Sequence, residues 1–218
     1  MKVAIDGPAG AGKSTISKAA AKELGFVYID TGAMYRAVGL KAVMCGINPK
    51  DSDGVCSILD ELDIDIRHEG VEQRIFLDRE DVSEKIRTPE ISLAASDVSK
   101  IPLVREKLVE LQRKLAQNHD VIMDGRDIAT HVLPDAEVKI FLTASVDKRA
   151  QRRYEELCEK GEKVSFEEVK KDMELRDKND STRSVSPLKI AEGAVVVDTS
   201  DFTLEESVNA VINTIKRG

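Results

Sequence analysis

Eight consecutive residues, Gly7-Pro8-Ala9-Gly10-Ala11-Gly12-Lys13-Ser14, carry the spacing G-x-x-x-x-G-K-[ST]. Glycines and alanines let successive backbone N–H groups turn inward around phosphate oxygens, which larger side chains would obstruct. Lys13 opens an amphipathic segment, so the free N–H groups and positive dipole end of a helix starting there would face the anion. In such a loop the lysine reaches the β- and γ-phosphates and the hydroxyl of Ser14 can ligate Mg2+. The apolar run 2–6 before the motif and the helical pattern after it supply the context it requires. The motif predicts nucleoside triphosphate binding and leaves the fate of the phosphate open.

Further groups gather at the ends of apolar runs. Asp30-Thr31-Gly32-Ala33-Met34-Tyr35-Arg36 follows the run 26–30. Ligands of open parallel sheets bind outside the carboxyl ends of strands, so Asp30 and the glycine-rich loop are expected to face one crevice. Arg36, one turn into the next helix, can pair with a substrate phosphate by a bidentate contact. Val121-Ile122-Met123-Asp124-Gly125-Arg126-Asp127 reads as a buried strand that ends in a carboxylate. Asp124 there can hold Mg2+ through water or orient arginines, and Gly125 lets the chain turn sharply between charged groups. Arg149, Arg152 and Arg153, at i, i+3, i+4, would share one helix face; Arg176, Asp180 and Arg183, at i, i+4, i+7, would share another. Ion pairs along a helix are the ordinary use of such residues, at ~0.3–0.5 kcal/mol each. Phosphoryl transfer gives them a second use, because it needs cations that close over the triphosphate.

Positioning these groups takes alternating strands and helices. Runs rich in β-branched residues lie at 2–6, 26–30, 121–124, 138–142 and 194–197, and helix-length segments near 13–24, 33–45, 88–98, 102–117, 146–160, 165–179 and 204–217. The alternation predicts an α/β fold with a five-stranded parallel sheet flanked by helices. Residues 62–67, 74–78 and 81–82 break it as short antiparallel strands, with His68-Glu69-Gly70 as a turn, so 60–84 reads as a small β-rich excursion. Residues 146–183 hold eleven Lys/Arg and eleven Asp/Glu, a neutral, helical stretch that reads as poor in core material and as a mobile flap over the core.

Composition narrows the function classes. A net charge of -7 argues against a general nucleic-acid coat, which would carry excess Lys and Arg, but permits a local basic pocket for a small anion. The longest stretch without Asp, Glu, Lys or Arg is nine residues, 207–215, far short of the ~20 apolar residues of a membrane helix. The start Met1-Lys2-Val3-Ala4-Ile5 predicts no signal peptide. Cys45, Cys56 and Cys158, odd in number and without metal-ligand spacing, are expected to be reduced, buried thiols of a cytoplasmic protein; His68, His119 and His131 are equally scattered.

GPAGAGKST, DTGAMYR, Ile86-Arg87-Thr88-Pro89-Glu90, DGRD, VKIFLTAS and Arg176-Asp177-Lys178-Asn179-Asp180-Ser181-Thr182-Arg183 resemble, in order and spacing, the bacterial cytidylate kinase family of P-loop nucleoside monophosphate kinases. The resemblance runs from about Val3 to Leu188, and DGRD with R-D-x-x-D-x-x-R is more specific than the loop alone. It implies a single P-loop kinase domain over 1–218, with a core of 1–59, 100–145 and 184–218, a monophosphate-binding insert at about 60–99 and a lid at about 146–183. It further implies ATP-dependent phosphorylation of CMP and dCMP to CDP and dCDP, with Mg2+, in a cytoplasmic monomer that contacts neither nucleic acid nor membrane.

Residue by residue, the resemblance implies that Gly7, Pro8, Ala9, Gly10, Ala11, Gly12, Lys13, Ser14 and Thr15 bind ATP, with Ser14 on the metal. Arg36, Arg126 and Arg176 would clamp the CMP phosphate. Ser96, Arg105 and Asp127 would read the cytosine edge, and Asp180 with Arg183 would hold the sugar. Thr31 and Tyr35 would belong to the substrate site, Thr31 standing where many relatives have Ser. Arg149, Arg152 and Arg153 would be lid arginines, Arg149 on the ATP side. Lys13, Asp124, Arg126, Arg152, Arg153 and Arg176 would serve the transfer itself. Chemically, a carboxylate at Asp127 accepts from the cytosine amino group and opposes the uracil carbonyl, a mismatch costing ~1–3 kcal/mol, while Arg105 suits the O2 and N3 acceptors.

Other P-loop classes fit less well. A GTPase would need N-K-x-D after a strand, and the D-x-x-G match at Asp51-Ser52-Asp53-Gly54 lies in a polar loop opening a helix. An adenylate kinase would show T-G-D where Ala33 stands. A kinase for UMP or AMP, and a module that binds nucleotide without turning it over, remain the alternatives.

Overall fold

The computed structural model describes residues 1–69 and 72–218. In chain order the elements are β1 (Lys2–Asp6), α1 (Lys13–Leu24), β2 (Val27–Asp30), α2 (Thr31–Met44), α3 (Ser52–Ser57), β3 (Ile64–Glu69), β4 (Glu72–Leu77), β5 (Glu80–Asp81), α4 (Pro89–Val98), α5 (Pro102–Leu115), β6 (Val121–Gly125), β7 (Val138–Thr143), α6 (Val146–Glu159), α7 (Phe166–Thr182), β8 (Val195–Asp198) and α8 (Leu204–Ile215). The core strands fall within one residue of the apolar runs. Helix starts follow local chemistry. Thr88 accepts from Ile91 N ahead of Pro89, and the pairs Ser165/Glu168 and Thr203/Glu206 form reciprocal capping boxes that satisfy first-turn N–H groups.

The strands form a five-stranded parallel sheet in the order β2-β6-β1-β7-β8 and a separate three-stranded sheet, β3-β4-β5. The chain divides into two compact units, 1–26 with 120–218, and 27–119. In the first, β1 pairs in parallel with β6, Ile5 opposite Asp124 and Asp6 opposite Gly125, and with β7, Asp6 opposite Phe141. Val3, Ala4, Ile5, Ile122, Met123, Ile140 and Leu142 are fully buried, as strands covered on both faces must be. The register therefore delivers the glycine-rich loop and the Asp124–Asp127 turn to the same end of adjacent strands.

The second unit has its own core, built from Met34, Val38, Val55, Ile75, Ile86, Val98 and Leu108 among others. Helix α2 lies close against α4 because residue 39 is glycine: a Cβ there would stand 3.0 Å from Ala95 N. The β-rich excursion is the antiparallel sheet, with Ile66 opposite Ile75 and Phe76 opposite Asp81. Its wet face holds the exposed Asp63, Asp65 and Arg67, and the Arg67 guanidinium sits 4.0 Å over the Phe76 ring. Of the turn expected at His68-Glu69-Gly70, His68 and Glu69 belong to β3, and Gly70 lies outside the described residues.

Two expectations about composition need correcting. The three cysteines are free, but Cys45 and Cys158, near the C-terminal ends of α2 and α6, are exposed, and Cys56 is only half-buried against the core. The charge-dense stretch 146–183 does bury apolar material: Ala150, Leu157, Val169 and Met173 are covered, and Ala150 and Met173 cluster with Ala9 of the glycine-rich loop. No helix among the described residues is long and apolar enough to cross a membrane.

Candidate active site

The loop between β1 and α1 has the left-handed backbone its glycines permit, with Gly10 at φ 71° and Gly12 at φ 82°. Gly12 occupies the N-cap position of α1 without a capping side chain, which leaves the first-turn N–H groups to an anion. Lys13 is the first helical residue and is only 5% exposed; its ammonium donates to Pro8 O at 2.8 Å. Burial pushes its pKa down to about 7, and neighbouring Arg126 adds to the shift, while Asp124, Asp180 and Asp6 oppose it. The exposed Ser14 hydroxyl donates to Asp124 Oδ2 at 3.1 Å. That all-oxygen pair at the head of a helix fits a hard divalent cation such as Mg2+. Thr15, next in the helix, is exposed.

At the end of β6, Asp124 and Asp127 are buried and Arg126 is half-buried. Arg126 Nε donates to Asp180 Oδ2 of α7 at 2.7 Å. Burial alone would lift the Asp180 carboxyl, but Arg126, then Arg183 and Arg176, hold it below the usual carboxylate range. The predicted helix face of Arg176, Asp180 and Arg183 is broken at its end. Helix α7 stops at Thr182, and Arg183 continues in extended backbone, donating to Ser186 O at 2.6 Å and lying 3.4 Å from Asp127 Oδ1. Two arginine–carboxylate contacts thus tie α7 and its C-terminal extension to the turn after β6.

Arg149, Arg152 and Arg153 all lie on α6 at the expected spacing, but they go to different partners. Arg149, buried, donates to Ala144 O and to Ala9 O, each at 2.8 Å, and pairs with Asp177 at 2.7 Å. Asp177 in turn accepts from Ala9 N at 3.3 Å, so both polar groups of one loop peptide position are held from α6 and α7. Arg152 donates to the carbonyl and hydroxyl of Thr199 just after β8, and Arg153 pairs with Glu156 on its own helix.

In the second unit, Asp30 caps α2 by accepting from Ala33 N, and its backbone exchanges two hydrogen bonds with the Gln73 side chain. Thr31 is buried at the first position of α2, with Tyr35 and Arg36 half-buried one turn on. Arg105 of α5 is buried, donates to Ser99 O, and holds its guanidinium 5.6 Å from the Tyr35 ring centre. Ser96 is half-buried on α4.

Sequence reasoning passed over Asp177 and Asp6. Asp6 is 1% exposed, and its two oxygens accept from Ile128 N and Ala129 N, each at 2.8 Å. A carboxylate closing a strand buried on both faces is the signal that could have found it. Burial pushes this carboxyl up to about 6; the two N–H bonds pull the other way, Asp127 adds to the rise and Lys13 opposes it. Because the folded chain then holds the proton more tightly than the unfolded one, Asp6 lowers stability as pH rises from about 4 to about 6, by roughly 2–3 kcal/mol in all. Asp6→Asn should abolish this slope. In urea unfolding the difference, variant minus parent, is expected to climb between pH 4 and 6 and then level; a constant difference would contradict the shift.

The cytidylate kinase family model matches residues 3–217. The cytidylate kinase of Caldicellulosiruptor bescii is 54% identical over 212 residues, covering 97% of this chain and 94% of that protein. That of Lactobacillus johnsonii is 50% identical over 217 residues, covering 100% and 94%. Among solved structures, a gluconokinase from Sinorhizobium meliloti superposes with a TM-score of 0.50 at 15% identity, covering 99% of this chain and 91% of that one. An uncharacterized protein from Eubacterium ventriosum gives 0.53 at 12%, covering 100% and 99%. At these identities the structural likeness concerns the fold alone.

Proposed function

The chain belongs to the cytidylate kinase family, and from that membership we propose that it transfers the γ-phosphoryl group of ATP to the phosphate of CMP or dCMP. The observation that carries the mechanism is the gathering of Lys13, Arg126 and the Ser14–Asp124 pair at the end of β1 and β6. The loop N–H groups and Lys13 hold the triphosphate, and Arg126 and Arg176 balance charge on a metaphosphate-like group passing between in-line oxygens. Ser14 and Asp124 would hold Mg2+, which when bound neutralises charge on the phosphates. The acceptor phosphate is already largely ionised at neutral pH, with a second pKa of about 6, so no strong base is required. Arg149, Arg152 and Arg153 belong to the lid side, where Arg149 fixes the loop at Ala9.

On the acceptor side, Arg36, Arg126 and Arg176 would bind the monophosphate, and Thr31 and Tyr35 would belong to the substrate site. Asp180 and Arg183 take the sugar. Ser96, Arg105 and Asp127 read the base. Asp127 can only accept hydrogen bonds as a carboxylate, which favours the amino group of cytosine over the carbonyl of uracil. The test is ADP production against eight ribo- and deoxyribonucleoside monophosphates, with the parent and Asp127→Asn. The parent should prefer CMP and dCMP, and the variant should narrow the CMP-to-UMP ratio of kcat/KM by about five- to 150-fold, the equivalent of ~1–3 kcal/mol. Equal loss on both nucleotides would remove Asp127 from base reading.

A further inference from the structure

Asp6 lies outside every role assigned above, yet its geometry joins the two halves of the chemistry. It is the last residue of β1, directly before Gly7, and its carboxylate spends one oxygen on Ile128 N and the other on Ala129 N. Those two amides open a single π-helical turn, Ile128–Val132, closed by Leu133 N donating to Ile128 O at 2.7 Å and Val132 N donating to Asp127 O at 3.2 Å. The first N–H groups of any helical turn have no partner within it, and buried ones need an outside acceptor. Immediately ahead, Asp127 has φ −148° and ψ 29°, which is neither helix nor strand and must be held by its surroundings. A neutral acceptor could satisfy one amide at a lower desolvation cost; two adjacent amides at fixed spacing call for a carboxylate.

We propose that Asp6 is a positioning residue for nucleotide selection, its bidentate grip on Ile128 and Ala129 setting the direction in which Asp127 presents its carboxylate to the base. This rests on Asp127 as the base reader. Asn at position 6 retains one acceptor and turns an NH2 group toward the other amide, so the turn is released on one side. In Asp6→Asn, the CMP-to-UMP ratio of kcat/KM should narrow by about fivefold or more, as expected when a group that discriminates the base is displaced. The ratio is the diagnostic readout, because damage to the adjacent phosphate loop lowers turnover of both acceptors alike and cancels. Asp6→Ser, assayed at low temperature, serves if Asp6→Asn does not hold its fold. An unchanged ratio in a folded variant, or loss of the fold in both, overturns the proposal in favour of a purely structural carboxylate. Asp127→Asn is measured alongside. If it narrows the ratio and the Asp6 variants do not, this inference fails while base reading by Asp127 stands. If it leaves the ratio unchanged, base reading fails and positioning through it falls too.

Discussion

Replacing Lys13 by methionine should lower kcat by about 10²-fold or more while leaving the protein, melted without nucleotide, at least as stable as its parent. An exposed loop lysine would have been neutral to stability for want of contacts. Lys13 is instead 5% exposed and held by Pro8 O, a cation whose desolvation opposes its charge and whose neighbour Arg126 opposes it further. Methionine keeps the length and removes the charge, so relief from desolvation, on the order of 1–3 kcal/mol, offsets the lost hydrogen bond. The pH dependence has a definite sign. Between about pH 7 and the ordinary lysine value of 10.5 the folded parent holds fewer protons than the unfolded chain, so the parent gains stability as pH rises through that window. The methionine variant should lack this gain. Near-normal turnover in a folded variant would sink the phosphate-loop assignment; a melting temperature several degrees lower would show that the ammonium is a net stabiliser.

Gly7→Ala should be the most damaging added methyl among the described glycines. A Cβ at residue 7 would lie 2.0 Å from the Leu142 carbonyl oxygen and 3.1 Å from its carbon, both backbone atoms. Neither side can yield, because Asp6 is paired in register with Phe141 on one side and Gly125 on the other. Forcing the strands apart should cost more than about 3 kcal/mol, or roughly 10 °C in Tm for a chain this size, with the KM for ATP rising about tenfold or more. Gly25→Ala is the control. It also has positive φ, at 72°, but nothing within 4 Å of the added carbon, so it should cost only about 1 kcal/mol and leave kinetics alone. Equal melting temperatures for the two variants would refute the close approach to Leu142.

Contiguous residues carried the readable part of this protein. The strand, glycine turn and helix start of residues 2–14 are local, so eight consecutive residues with Gly, Gly, Lys and Ser at fixed spacing sufficed to identify a phosphate cradle. The same holds for a carboxylate closing the apolar run 121–124, and for the alternation of runs that yields a parallel sheet. Side-chain partners far apart in sequence were another matter. Helical spacing put Arg149, Arg152 and Arg153 on one face, but packing sent them to Ala9 and Asp177, to Thr199, and to Glu156. Spacing likewise could not tell that α7 ends before Arg183, which leaves the helix to reach Asp127. Nor could it show Lys13 buried, or Asp6 holding amides 122 and 123 residues away. Periodicity reports the direction of a side chain relative to its own backbone, whereas burial, the shift of a pKa and the choice among several carboxylates depend on which other segments arrive, and that is decided only when the sheet and its covering helices pack.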